Sequence, residues 1–429
     1  MNIGQLIKLE RQRQNMKQEV LASGICVPSY LSRIENGLVI PSEDIQQHLL
    51  KRLNISKEKL NNELSEERLF YFKSFFKTVI NTRNKEKAEE LYEEITFYIE
   101  AHPMEPNRLT LLLMETRLML MIPAKRKEVQ SHVAILEEFK KEMNTEQLFY
   151  LHTIQGILAY MNNQFRNASD IFNEVFTLIK SYRMEDWEMA ELYYISSLSL
   201  LSESRYILAI DYVKSALSYF NQEILIERSI ECLIILGIAQ KDNGVLLEAV
   251  ATYKKAKEIS SKIESSRFLG KIEHNLGKTY SLLKDKEKSL FHFQQSLTIK
   301  NTPSDIMITI FSLLFEYHKY QDFDNAKIWL EKGLNLLDQL PEKQRTFYSN
   351  HFIVYKLILF NEKNVIPTFK KVIDYFESVQ EYKYCSIYCY ILGKKLASEK
   401  QYKQATIFYE QGFKYYLKLS KVSTWEELL

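Results

Sequence analysis

Few residues in this 429-residue chain are spaced for covalent or metal chemistry. Gly277-Lys278-Thr279 resembles the close of a phosphate-binding loop, but Ile272 stands where that loop needs a glycine, and a helix rather than a strand precedes it. Cys385 and Cys389 are four apart and share a helical face, but no His or acidic partner is at usable spacing, so both read as core or groove-lining thiols. The 8 histidines are scattered. Neither a nucleophilic triad nor a metal set emerges, so the chain reads as a non-enzyme with no cofactor and no metal. Tyr382, Tyr384, Tyr388 and Tyr390 read mostly as helix packing. Non-covalent recognition is better served. Ser29 and Arg33 lie one helical turn apart, and a guanidinium fork matches the O6/N7 edge of guanine. Lys271, His274, Asn275 and Lys278 form a polar group in a chain whose equivalent positions are mostly apolar.

The elements that carry these residues follow from composition. Gly 11 and Pro 8 are far below ordinary usage of about 7% and 5%, and hairpins and βα turns consume both residues. The chain is therefore read as all-α. Lys+Arg 57 against Asp+Glu 55 leaves a net charge of +2, so any nucleic-acid contact must be a local patch. Tyr 27 and Phe 24 supply a large core and exclude disorder. Four cysteines form no disulfide framework for this length, and charges at Lys8 and Glu10 interrupt any leader-like apolar stretch. Glu115 and Arg117 separate the most apolar segments, and no run approaches the ~18 apolar residues of a membrane span. A cytoplasmic location without membrane contact is expected.

Residues 1–64 read as a helix-turn-helix domain. Ile3, Leu6, Ile7 and Leu9 mark a first helix, and Gln18 to Ala22 a second that Gly24 breaks. Pro28 opens a third, to Glu35, at the position that needs no N–H, and Asn36-Gly37 stops it. Glu43 to Leu53 is a fourth, and Ser56 caps a short fifth. The tight turn between the second and third places the third in the major groove.

The run Gly24-Ile25-Cys26-Val27-Pro28-Ser29-Tyr30-Leu31-Ser32-Arg33-Ile34-Glu35-Asn36-Gly37, followed by Pro41-Ser42, closely resembles the lambda-repressor-like domain of peptide-responsive quorum-sensing regulators, the Rap/Rgg/NprR/PlcR/PrgX group. Val27 departs from the pattern, since a Ser is commoner there, and the missing side-chain cap costs about 1 kcal/mol. The resemblance implies an Arg11–Glu35 salt bridge between the first and third helices, a short imported signalling peptide as ligand, and in some members capture of a phosphorelay response regulator. The expected DNA contacts are Lys17, Gln18, Pro28, Ser29, Tyr30 and Arg33, with Gln18 bonding a phosphate or steering a neighbour. One such domain buries only ~600–1,000 Å², so a homodimer on a pseudo-palindromic operator, with half-sites about 34 Å apart or multiples of it, is expected.

Residues 65–429 carry a repeat. Gly156, Gly237, Gly277 and Gly393 each precede a small residue by twelve positions (Ala168, Ala249, Ser289, Ala405), with an aromatic four further on (Phe172, Tyr253, Phe293, Tyr409). Weaker copies start at Phe76, Arg117, Ser197, Leu314 and Lys356, giving about nine degenerate repeats at a spacing of about 40 residues. A right-handed superhelical tetratricopeptide-like array follows, for peptide binding and dimerisation. Counted from the Gly/small position, slots −6, −3, −2 and +1 face its groove. They hold Tyr194 and Leu198, Ile234 and Ile238, and Phe311 and Phe315, but Lys271, His274, Asn275 and Lys278 at the central repeat and Glu231 one repeat earlier. Asn275 can clamp a peptide backbone, and the lysines suit a carboxylate.

Overall fold

The computed structural model describes residues 2–56, 66–181, 184–263 and 266–420, and every regular element among them is helical. The head comprises α1 (Ile3–Arg13), α2 (Gln18–Ala22), α3 (Pro28–Glu35) and α4 (Glu43–Arg52). Asn2 and Gln5 form a capping box that starts α1, whereas Val27 gives α3 no side-chain cap and leaves Pro28 to open it. Gly24 and Gly37 both sit at φ +70°, the left-handed conformation that ends a helix. Leu6, Ile7, Leu21, Leu31, Ile34, Leu49 and Leu50 close the head's core. The short fifth helix expected after Ser56 lies outside the described residues.

Nine helix pairs follow among the described residues: α5 (Glu66–Thr82) with α6 (Lys85–Ala101), α7 (Arg108–Met119) with α8 (Val129–Glu137), α9 (Thr145–Met161) with α10 (Phe165–Leu178), α11 (Asp186–Ser202) with α12 (Tyr206–Gln222), α13 (Ile226–Asp242) with α14 (Leu246–Lys262), α15 (Ser266–Leu282) with α16 (Lys286–Ile299), α17 (Pro303–Lys319) with α18 (Phe323–Leu336), α19 (Glu342–Leu359) with α20 (Ile366–Ser378), and α21 (Tyr382–Ser398) with α22 (Tyr402–Ser420). Each glycine of the template meets the aromatic of its partner helix face on. A Cβ at Gly156 would lie 2.3 Å from Phe172, at Gly237 2.5 Å from Tyr253, at Gly277 2.6 Å from Phe293 and at Gly393 2.6 Å from Tyr409. The absent side chain is the slot that the ring fills.

One register differs from expectation. In α20 the buried residues are Phe369, Val372, Ile373 and Phe376, while Thr368 is half-buried and Lys356 exposed. The repeat runs Leu357–Phe369–Ile373–Phe376, one position later than the template placed it. Its first helix, α19, has 18 residues rather than the 17 of most first helices.

The chain divides into two compact units, Met1–Ser260 and Ser261–Leu429. Within the first, the head is docked on the early repeats through α1. Leu9 joins the core of the array. Glu10 pairs with Arg108, a buried guanidinium that also donates to the carbonyls of Ile99 (2.8 Å) and His102 (3.4 Å). Arg13 lies 3.5 Å from the buried Glu115, and Lys8 (2.9 Å) and Gln12 (2.6 Å) both donate to Glu138. Also within this unit, α5 lies along α9, α11 and α13. The Phe76 ring meets those of Tyr150 and Trp187, Lys73 pairs with Glu146 at 2.5 Å, and Lys77 pairs with Glu185 at 3.1 Å.

Candidate functional site

In the head, α3 turns Leu31, Ile34 and Glu35 inward, which leaves Ser29 and Arg33 exposed on the opposite face. Pro28 and Lys17 are exposed as well, and Tyr30 is half-buried against the head's core. Glu35, 2% exposed, organises the base of this surface. It accepts from Arg11 Nε (2.6 Å) and Nη2 (2.9 Å), and Arg11 Nη1 donates to the Met16 carbonyl at 2.9 Å. The salt bridge implied by the resemblance is present. Gln18, half-buried at the start of α2, donates from Nε2 to the neighbouring Glu35 carboxylate on α3 at 2.7 Å. The buried Glu35 carboxyl is thus satisfied by donors from both Arg11 and Gln18. Val27, at the mouth of α3, is 62% exposed, a methyl surface beside Ser29 that sequence reading treated only as a missing cap.

The slots expected to line a groove divide between the units. In the first unit, Glu191 accepts from Arg228 (2.7 Å), Arg117 (2.9 Å) and Arg83 (3.3 Å), and Glu231 lies 3.7 Å from both Arg83 and Arg228. The Tyr194 ring is held between the Arg83 and Arg228 guanidinium groups, each 4.4 Å from its centroid. Burial would raise the Glu191 carboxyl, but Arg228, Arg83 and Arg117 outweigh it and hold it at about 2. Tyr194 is thus buried within an ion cluster over which α5 is seated, and the half-buried Glu231 lies at the edge of that cluster. Sequence reading missed Arg83, Arg117, Glu191 and Arg228. A signal existed: Glu191, Glu231 and Lys271 occupy the same −6 slot in three successive repeats.

In the second unit, Lys271, Asn275 and Lys278 share one stripe of α15, with both lysines exposed and Asn275 half-buried. His274 differs from them. It is buried, its Nδ1 is 3.1 Å from Thr309 Oγ1, and its ring lies against Phe293. The −3 slot points into the α15–α17 contact, where the imidazole Nδ1 pairs with the Thr309 hydroxyl. On α17 the positions equivalent to Lys271 and Lys278 are the exposed Ile308 and Phe315, Ser312 takes the slot of Asn275, and Phe311, in the slot of His274, is half-buried against His351 and Tyr355. Burial among these rings drives the His351 imidazole down to about 3, so it is neutral. A polar stripe on α15 therefore runs beside a mostly apolar one on α17.

Gly277-Lys278-Thr279 lies within α15, where Thr279 Oγ1 donates to the Asn275 carbonyl at 2.7 Å. Cys385 and Cys389 are buried in the core of the last repeats, and among the described residues no helix is long and apolar enough to cross a membrane.

Residues 7–60 match the helix-turn-helix family HTH_3. Over 408 residues, 92% of this chain and 98% of the relative, the sequence is 29% identical to the transcriptional activator NprA of Geobacillus stearothermophilus. Over 297 residues, 66% of this chain and 74% of the relative, it is 23% identical to response regulator aspartate phosphatase I of Bacillus subtilis strain 168. Two solved structures share the fold. The apo quorum sensor NprR from B. thuringiensis superposes with a TM-score of 0.70 at 17% identity, covering 82% of this chain and 99% of its own. A Rap protein complexed with competence and sporulation factor superposes with a TM-score of 0.68 at 18% identity, covering 83% and 99%. A helix-turn-helix head joined to a tetratricopeptide-type array is the class these features define. These likenesses agree with the resemblance of the run from Gly24 to Gly37 to the Rap/Rgg/NprR/PlcR/PrgX group.

Proposed function

We propose that this protein is a cytoplasmic DNA-binding transcriptional regulator whose activity is gated by a short signalling peptide held on the first helices of its second unit. The observation that carries the reading is the stripe Lys271–Asn275–Lys278 set beside Ile308–Phe311–Phe315, while α5 already covers the corresponding helices of the first unit. A side-chain amide between cations, next to exposed rings, suits an extended oligopeptide with unpaired backbone groups. At the other end, Ser29 and Arg33 stand clear of the head for base edges, with Lys17, Pro28 and Tyr30 around them and Val27 suited to a thymine methyl. A homodimer would present two heads to a pseudo-palindromic operator. The peptide biases the regulator only by its difference in affinity for two forms. Mass spectrometry of peptides co-purified from the host, joined to duplex selection with the full chain, tests the reading. One retained oligopeptide and one enriched duplex are expected, and a chain that retains neither ends it. A second reading is a peptide-controlled switch that captures a phosphorelay response regulator, favoured by the likeness to a response regulator aspartate phosphatase. Co-elution with such a regulator, abolished by the peptide, would favour it over the first.

A further inference from the structure

We propose that Lys300, together with Lys271, forms an anion subsite in the second unit that takes a carboxylate of the bound peptide. This rests on the peptide reading above and adds the chemical group that the ligand must present at that point.

Lys300 ends α16 in an extended conformation as the chain turns toward α17. Its stem is bedded on Gly270: a Cβ there would lie 3.0 Å from Lys300 Cγ and 3.7 Å from Cε. Gly270 has no place in the repeat template, and admitting this stem is what the missing side chain does. The Lys300 ammonium donates to Thr309 Oγ1 at 2.8 Å. That hydroxyl is fully buried and also meets His274 Nδ1 (3.1 Å) and Ser296 Oγ (3.3 Å), while Ser296 donates to the Gly270 carbonyl at 2.7 Å. Ser296 has thus spent its proton on Gly270, and the Thr309 oxygen has one proton and two lone pairs to share. It anchors the ammonium without neutralising it.

Among the described residues no carboxylate lies within salt-bridge distance of Lys300 or Lys271. The charged groups that face Lys300 are Asp305, which attracts it from beyond bonding distance, and Lys278 and Lys271, which repel it. Burial comes first and the two lysines add to it, bringing the ammonium down to about 8 against the pull of Asp305. A half-buried ammonium that has one neutral partner and two cationic neighbours is relieved when an anion arrives. Asn275 on the same stripe of α15 and the exposed Phe315 on α17 favour that anion as part of an oligopeptide, as its terminal carboxylate or an Asp or Glu side chain.

The test uses the immobilised full chain and a random heptapeptide pool made twice, with a free C-terminal carboxylate and with a C-terminal amide. Retained peptides are sequenced by mass spectrometry at pH 7 and pH 9. Preference for the free-acid pool assigns the terminal carboxylate; enrichment of Asp or Glu at a fixed position in both pools assigns a side chain. Either bias should fall at pH 9, where Lys300 has lost its proton, and should fall about tenfold in Lys300→Met at pH 7. Lys300→Arg should keep it. Lys300→Met retains the stem over Gly270 and removes a repelled charge, so its melting temperature should not drop. If it fails to fold, Lys271→Met, at an exposed position, gives the same readout. Retention without acid bias, or a bias that survives Lys300→Met, overturns the subsite and leaves the peptide reading standing. Retention of no peptide by the wild type overturns both.

Discussion

Arg33 stands exposed on α3 one turn from Ser29, and its neighbours Ile34 and Glu35 point into the head. Arg33→Ala should therefore leave the fold intact and cost about 1–3 kcal/mol on the selected duplex, with preference relaxed at one base position. Fluorescence anisotropy on duplexes varied base by base checks this, and an equal loss on every sequence would make Arg33 a phosphate contact. A second prediction concerns the glycine slots. Gly237→Ala gains about 1 kcal/mol of helix propensity but places a methyl 2.5 Å from Tyr253, and such overpacking costs about 1–3 kcal/mol. Urea midpoints should show a net loss for Gly237→Ala that is recovered when Tyr253→Leu is added. These positions were legible in sequence because a glycine and an aromatic at fixed spacing form a local, repeating pattern. Lys300 was not, because its role depends on Gly270 and Thr309, which lie 30 residues before it and 9 after it and outside any periodic slot.

At the scale of elements, the head helices could be read from their caps and stops: Pro28, Asn36-Gly37 and Ser42 act within a few residues of themselves. The docking of α1 on the array could not, since Glu10 and Arg108 are 98 positions apart and each has the look of a surface charge. The physical weight of that contact is unequal. Arg108 is 1% exposed, so Glu10→Gln leaves a buried cation without its counterion and should cost about 3 kcal/mol or more. Glu138 is far more exposed, and Glu138→Gln should cost less than about 1 kcal/mol. Amide exchange in α1 measures both, and a reversed order would mean that the carbonyls of Ile99 and His102 suffice for Arg108. Burial raises the Glu138 carboxyl, but bonds from Lys8 and Gln12 outweigh it and hold it below the usual carboxylate range. A depressed carboxylate stabilises the docked head above about pH 4, and this contribution disappears as pH falls through its lowered value. Protection factors in α1, taken relative to the intrinsic exchange rate at each pH, should accordingly fall on acidification before those in α9 do.

At the largest scale, the first unit is organised around a charge cluster that composition concealed. Arg83, Arg117, Glu191, Arg228 and Glu231 are spread over about 150 residues, and a net charge of +2 for the chain reveals nothing of three arginines converging on one carboxylate. The repeat period placed the helices correctly, because it is set by neighbouring pairs. It could not show that α5 crosses from the first repeat to the fourth and fifth, where Arg83 enters the cluster and Phe76 covers Trp187. Replacing Glu191 by Gln strands buried arginines and should destabilise the protein by about 3–5 kcal/mol at pH 7. The sign with pH follows from the same geometry. Glu191 titrates at about 2 in the folded chain, below the ordinary value of about 4.3, so its stabilisation is complete above that value and is lost as pH falls toward 2. Urea midpoints measured from pH 7 down to pH 3 should therefore fall more steeply for the wild type than for Glu191→Gln. Parallel curves would show that the cluster is held by its remaining bonds, such as Arg228 to the Ile80 carbonyl, and that α5 is seated by its aromatic contacts alone.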